Sequence, residues 1–277
     1  MKSVTLPSGE KVPALGMGTW NMGEDPAAQA AEVGTIQAGI DAGLRVVDTA
    51  EMYGDGASER MVGRAMVGRR DRVFLVSKVY PHHAGRNAIR AACEASLARL
   101  GTDWLDLYLL HWRGAVPLAE VLEGLLALQR SGKIRHFGVS NLDTAAMETW
   151  SQLPGGADVA TDQILYNLSR RAVERDLLPW CRAHSVPVMA YSPLEQGALL
   201  ADARLQAFGK RHAITPAHAA LGWLLAQEGV LAIPKTASLS RLQENLRAIE
   251  QPLRPSQCAE LERLFPAPST PRPLEMI

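Results

Sequence analysis

Hydrophobic and polar positions alternate on two length scales along this chain. Eight short apolar runs, each closed by a polar, charged or aromatic residue, are separated by stretches of helical periodicity. The runs are Ala14 to Thr19, Leu44 to Asp48, Val73 to Lys78, Trp104 to His111, Ile134 to Asn141, Val159 to Gln163, Val186 to Tyr191 and Val230 to Lys235. Runs of this length, bounded by turns and alternating with amphipathic stretches, predict buried parallel strands in βα units. Helices are predicted at about 27–42, 58–68, 86–100, 117–131, 143–152, 173–184, 215–227 and 239–249, with further helices at 200–212 and 255–264. Gly43 and Gly132 stand where C′ glycines belong, and Thr215-Pro216 reads as an N-cap followed by an N1 proline. Val4 to Leu6 and Lys11 to Pro13 flank Pro7-Ser8-Gly9-Glu10, a hairpin signal before the first run.

Eight βα units predict an α/β fold, a closed (β/α)8 TIM barrel, as one domain over residues 1–277. The hairpin would close its bottom, and a short tail with a Pro-rich stretch, Pro266 to Pro273, would follow. In such a barrel the carboxyl ends of all strands converge on one face. Asp48, Lys78, His111, Asn141, Gln163, Tyr191 and Lys235 are therefore expected around one pocket.

Composition narrows the function classes. Hydrophobic residues are 47% of the 277, enough for a large core. Lys+Arg and Asp+Glu number 29 each, so no global basic field favours nucleic acid. Cys93, Cys181 and Cys258 are odd in number and far apart, which fits neither a disulfide framework nor a metal ladder and suggests a reducing compartment. Met1 to Glu10 has no apolar leader-like run, and no run of about 18 apolar residues occurs. The expectation is a soluble cytoplasmic monomer acting on small molecules, without nucleic acid, membrane or metal.

Four residues carry candidate chemistry. Asp48 ends the second run, Tyr53 follows five residues later, Lys78 ends the third run and His111 the fourth. A buried Lys78 beside Asp48 would stay charged and would favour the Tyr53 phenolate, allowing proton transfer near neutral pH where an ordinary tyrosine, pKa about 10, does so poorly. His111 could hydrogen-bond a substrate oxygen from the other side. Singly, each has a plainer explanation: a helix cap, a packed phenol, a solvated strand end, a satisfied imidazole. Their coincidence on three successive strands is what points to a site.

Gly16-Met17-Gly18-Thr19-Trp20, Val47-Asp48-Thr49-Ala50-Glu51-Met52-Tyr53, Val76-Ser77-Lys78, Leu110-His111-Trp112, Gly138-Val139-Ser140-Asn141 and Ile233-Pro234-Lys235-Thr236 together resemble the aldo-keto reductases, in order and over nearly the whole chain. Ser77-Lys78-Val79-Tyr80-Pro81 and the short C-terminus are similar to bacterial members that reduce methylglyoxal and other small aldehydes. The resemblance implies carbonyl reduction with NADPH, Tyr53 as general acid, Lys78 and Asp48 tuning its proton, and His111 orienting the carbonyl.

No Gly-x-Gly-x-x-Gly follows the first strand and no Gly-Lys-Ser/Thr occurs, which disfavours Rossmann and P-loop sites. The resemblance instead implies a cofactor seat built from Gly18, Thr19, Trp20, Ser140, Asn141, Gln163, Tyr191, Ser192 and Leu194. Ser140, Asn141 and Gln163 would hold the nicotinamide carboxamide and Tyr191 would stack on the ring. Lys235, Thr236, Ser238 and Arg241 suit a 2′-phosphate, favouring NADPH over NADH, and Glu244 and Asn245 could reach the adenine. Trp20, Tyr80, His111 and Trp112 would line the substrate pocket. The short tail suggests an open pocket that takes small or aromatic aldehydes.

Two other readings compete. A lyase using Lys78 as a Schiff-base amine needs a depressed lysine pKa, and Asp48 would push it up instead. An NADP(H)-binding redox-sensing or structural protein with little turnover would keep the cofactor seat without needing all four candidate residues.

Overall fold

The computed structural model describes residues 2–270 and 272–277; Met1 and Pro271, the latter within the predicted Pro-rich stretch, lie outside the described residues. A hairpin of β1 (Ser3–Thr5) and β2 (Lys11–Pro13) opens the chain, with Val4 opposite Val12. Eight parallel strands follow: β3 (Met17–Gly18), β4 (Val46–Asp48), β5 (Phe74–Val79), β6 (Leu105–Leu110), β7 (Ile134–Ser140), β8 (Asp162–Leu165), β9 (Val188–Tyr191) and β10 (Val230–Ala232). Each pairs with its neighbour in sequence order. The sheet closes on itself through parallel bridges Leu15 to Ala232 and Gly18 to Lys235.

The seam needs glycine for space rather than for backbone angle. Gly16 N donates to Ala232 O (2.8 Å) and Gly18 N to Pro234 O (3.1 Å). A Cβ on Gly18 would stand 2.8 Å from the Ile233 carbonyl oxygen, and one on Gly16 would stand 2.7 Å from the Val46 Cβ. Neither distance is one that a side chain tolerates.

The helices lie between the strands in the predicted order: α1 (Gln29–Asp41), α2 (Ala57–Ala65), α3 (Ala88–Leu100), α4 (Leu118–Arg130), α5 (Thr144–Ser151), α6 (Leu177–Ala183), α7 (Ala203–His212), α8 (Pro216–Ala226), α9 (Leu239–Glu250) and α10 (Pro255–Leu264). Gly43 and Gly132 take positive φ (94° and 74°) just past α1 and α4, and Thr215 caps α8 by accepting from the His218 amide. Several boundaries move by a few residues, two of them for a plain local reason. The sixth strand starts at Asp162 and runs on to Leu165, because the apolar pair Ile164-Leu165 continues the buried register with Ala190 and Tyr191. The helix expected from 173 begins at Leu177, where the Asp176 carboxylate accepts the Leu177 amide.

The hairpin sits at the amino end of the barrel. The Glu10 carboxylate, just past its turn, binds Arg135 (2.9 Å) and His136 (2.7 Å) at the start of β7. With that end plugged, the carboxyl ends of the strands form the open face. No helix among the described residues is long and apolar enough to cross a membrane.

Candidate active site

The open face gathers the chemically active residues because each sits at or just past a strand end. Asp48 is the last residue of β4, Lys78 lies next to the end of β5, and His111 follows β6 directly. Tyr53 is carried by a turn after β4, closed by its amide donating to Ala50 O (3.1 Å), with Gly54 and Gly56 at positive φ leading into α2.

Lys78 is fully buried, and its Nζ uses all three protons. They go to Asp48 Oδ2 (2.8 Å), the Thr49 carbonyl (2.9 Å) and Tyr53 Oη (3.1 Å). An ammonium in this position is held charged. Burial alone would lower the Lys78 pKa, but the charge of Asp48 and the contact with Tyr53 more than reverse this, and the net shift is upward. This is the direction expected from Asp48, and it leaves no free amine for Schiff-base chemistry.

Tyr53 departs from expectation. Burial raises its pKa, and the opposing pull of Lys78 offsets only part of that rise. The phenolate expected near neutral pH is therefore disfavoured. Removing a phenol from water costs the charged form more than one ammonium at 3.1 Å returns, when Asp48 stands behind that ammonium and cancels part of its field. Tyr53 keeps its proton at neutral pH.

The His111 ring meets Tyr53 edge-on, centroids 5.8 Å apart. Burial, then the Lys78 charge, push its pKa down to about 2, so the imidazole is neutral. Its Nδ1 is buried without a hydrogen-bond partner.

A second network adjoins this one. Gln163 Nε2 donates to Asp48 Oδ1 (2.8 Å), while the Gln163 carbonyl accepts from Ser140 Oγ (2.7 Å) and Asn141 N (3.0 Å). Asn141, strained at φ 58°, donates from Nδ2 to the His111 carbonyl (3.2 Å) and accepts from Tyr191 Oη (2.9 Å). The structure thus brings Asp48, Lys78, Tyr53, His111, Ser140, Asn141, Gln163 and Tyr191 together.

The other expected residues are spread around this face. Thr19 is fully buried, its hydroxyl held between the Asp48 carbonyl (2.9 Å) and Ser58 Oγ (2.7 Å), so that side chain serves the fold of the Asp48 turn. Trp20 stands 40% exposed at the rim. Tyr80 packs edge-on against Trp112 (5.8 Å), which lies 4.8 Å from His111, so these form one aromatic wall. Ser192 and Leu194 lie in the loop after β9, Ser192 at φ 47°. Lys235 and Arg241 are exposed and form no ion pair among the described residues. Thr236 Oγ1 accepts from Ser238 N (3.1 Å), and Ser238 precedes α9 without capping it by side chain. Glu244 is half-buried and Asn245 buried on α9.

The tail lies beside the site, at a cavity whose lining includes neither Tyr53 nor His111. Arg272, Pro273, Leu274 and Met276 fold back to line a cavity of about 640 Å³ together with Trp112, Arg113 and Asn141. That volume suits a small molecule. Two features escaped the sequence reading. Glu51 accepts the Tyr80 amide (2.7 Å) and contacts His83 Nδ1 (3.2 Å), fixing the loop after β5. The Asn167–Arg170–Glu195–Glu275 cluster spans 25 to 105 residues of chain and has no local signature.

A barrel whose carboxyl face holds a buried Lys–Asp pair against a protonated tyrosine and a neutral histidine defines a proton-handling site for small molecules. A model of the aldo/keto reductase family matches residues 14–265. Methylglyoxal reductase YeaE of Escherichia coli K12 is 46% identical over 281 aligned positions, covering 100% of this chain and 99% of the relative. The crystal structure of an aldo/keto reductase from Klebsiella pneumoniae in complex with NADP and acetate superposes with TM-score 0.96 at 48% identity, covering 100% of this chain and 99% of that one. A thermostable aldo-keto reductase, Tm1743, in complex with epalrestat, superposes with TM-score 0.88 at 38% identity, covering 95% and 100%. The chain belongs to the aldo/keto reductase family, and carbonyl reduction is the reaction class that follows.

Proposed function

We propose that this protein is an NADPH-dependent reductase of small and aromatic aldehydes, methylglyoxal among them, with Tyr53 as the general acid. The observation that carries the reading is the three-way grip of Lys78 Nζ on Asp48, Thr49 and Tyr53. Because Lys78 donates to Tyr53 Oη, the phenol's own O–H is left to point elsewhere, into the face lined by His111 and Trp112. A raised pKa keeps that proton in place until a carbonyl oxygen gains charge and becomes the stronger base. Lys78, charged and immobile, then stabilises the phenolate left behind. Neutral His111, with Nδ1 lacking an acceptor, is best served by a proton on Nε2, from which it orients the same oxygen.

Several features support the cofactor. NADPH, when bound, supplies the hydride to the carbonyl carbon. Tyr191, Asn141, Ser140 and Gln163 form a connected polar edge beside Asp48, suited to a ring and its carboxamide. The start of α9 has no side-chain cap and carries the unpaired cations Lys235 and Arg241 nearby, a combination that favours a phosphate. A reading as a slow NADP(H)-binding sensor finds less support, since the whole proton-handling group is assembled.

The test is loss of NADPH absorbance at 340 nm with a panel containing methylglyoxal and 4-nitrobenzaldehyde, run beside NADH. Turnover preferring NADPH is expected. Tyr53→Phe should lower kcat by about 10²- to 10⁴-fold, the usual worth of a positioned acid, while NADPH binding stays within a few-fold. Full turnover by that variant would remove Tyr53 as the acid, and NADPH binding without turnover in the native protein would favour the sensor.

A further inference from the structure

The loop after β9 and the end of the C-terminal tail are joined by one guanidinium, that of Arg170. Three non-glycine residues of this loop, Ser192, Glu195 and Gln196, take positive φ (47°, 49° and 52°), a strained run that persists only when its surroundings hold it. Two side chains do so. Fully buried Asn167 donates to the Ser192 carbonyl (2.9 Å) and to Glu195 Oε2 (2.7 Å). Arg170 grips Glu195 Oε1 twice, from Nε (2.9 Å) and from a terminal nitrogen (2.7 Å). Its other terminal nitrogen reaches Glu275 (3.1 Å), which makes the one ion pair of the tail beyond Pro268 among the described residues. Arg170 itself is anchored, because its amide donates to Asn167 Oδ1 (3.1 Å) and closes a tight turn with Asn167.

The tail is pinned upstream by other arginines. Arg171 donates to the Phe265 carbonyl and Arg175 to that of Pro268, both at 2.6 Å. Beyond them the tail supplies Leu274 and Met276 to the cavity beside Trp112 and Asn141. Glu275 lies between those two cavity residues in sequence, so its bond to Arg170 sets where they stand.

We propose that Arg170 is a positioning residue that joins the cofactor loop to the cavity beside Trp112 and Asn141, so that seating NADPH against Ser192–Gln196 also orders the tail along that cavity, next to the aromatic wall of the site. The proposal rests on the NADPH reading above. The physics is a shared acceptor pair: Arg170 binds Glu275 best when Glu195 already fixes its plane, and anything that stills Glu195 lowers the entropy lost when Glu275 docks. Coupling of this kind is reciprocal.

Hydrogen–deuterium exchange of the full-length protein with and without NADPH tests it, beside Arg170→Met and Glu275→Gln. The native protein should show slower exchange on NADPH addition in both 192–197 and 272–277. Both variants should keep the first protection and lose the second. Each variant should also raise KM for the aldehyde about two- to fivefold, the scale of a half-exposed ion pair, with kcat nearly unchanged. Equal tail protection in the variants, or protection of the loop without the tail in the native protein, would overturn the coupling. Absence of any NADPH binding to the native protein would instead fail the cofactor reading, and the coupling with it.

Discussion

At the scale of single residues, burial decides the protonation states. His111 shows this most directly. Its unfolded imidazole has pKa about 6.5 and its folded one about 2, so it gains no proton in the native protein across the acid range where the unfolded chain does. The unfolded state therefore binds more protons below pH 6.5, and His111 makes stability fall as pH falls from there toward 2. For catalysis the expectation is that kcat/KM shows no limb from His111 between pH 5 and 8. An acid limb near 6.5 that vanishes in His111→Gln would contradict a neutral imidazole. Asp162 runs the other way. It is fully buried on β8, and burial raises its pKa well above the ordinary value against the smaller opposing pull of the Leu142 and Asn141 backbone. The unfolded carboxyl ionises above about pH 3.9 while the folded one keeps its proton, so this residue costs stability as pH rises through that window. Asp162→Asn should raise Tm at pH 7 and show little difference at pH 3.5, measured by thermal melts across that range. A constant offset at all pH values would reject ionisation as the cause.

At the scale of elements, helix ends place chemistry. Asp143, Asp176, Asp202 and Thr215 cap α5, α6, α7 and α8 with their side chains, whereas Ser238 leaves the start of α9 open. Such an uncapped end leaves amide donors and a partial positive charge facing outward. On the proposed reading, Arg241 in the first turn of α9 would meet the 2′-phosphate that separates NADPH from NADH. Arg241→Ala should weaken NADPH by about tenfold or more, since a hydrogen bond to a charged group is worth about 1.5–3 kcal/mol, and should leave NADH within twofold. Fluorescence titration with both cofactors checks this, and equal weakening would remove the phosphate role. The elements also show where pattern reading succeeds. All eight strands and their helices were legible, because parallel strands buried on both faces must be apolar and their helices must keep one polar side. Boundaries at β8 and α6 were not, because an extra register pair and a local Asp176 cap settled them.

At the scale of the whole molecule, closure of the barrel creates the site. The seam between β3 and β10 runs past Gly18, where a methyl group would meet the Ile233 carbonyl oxygen at 2.8 Å. Gly18→Ala should cost about 1–3 kcal/mol, as overpacking of a rigid contact does, read as a lowered midpoint in urea. Because Gly18 also pairs with Asp48 across β3 and β4, the same change should disturb the Asp48–Lys78 contact and reduce turnover beyond its effect on stability. Unchanged stability would mean that the seam can open without loss.

The sequence by itself determined the barrel, the face on which chemistry falls and the four residues at its centre, because strand periodicity and strand ends are local properties of the chain. Only the tertiary structure decided the proton state of Tyr53, the inward use of Thr19, the place of the tail beside Trp112 and the Arg170 cluster. Each of these depends on how much water is excluded and on which distant residues share a volume, and neither quantity is written in the spacing of residues along the chain.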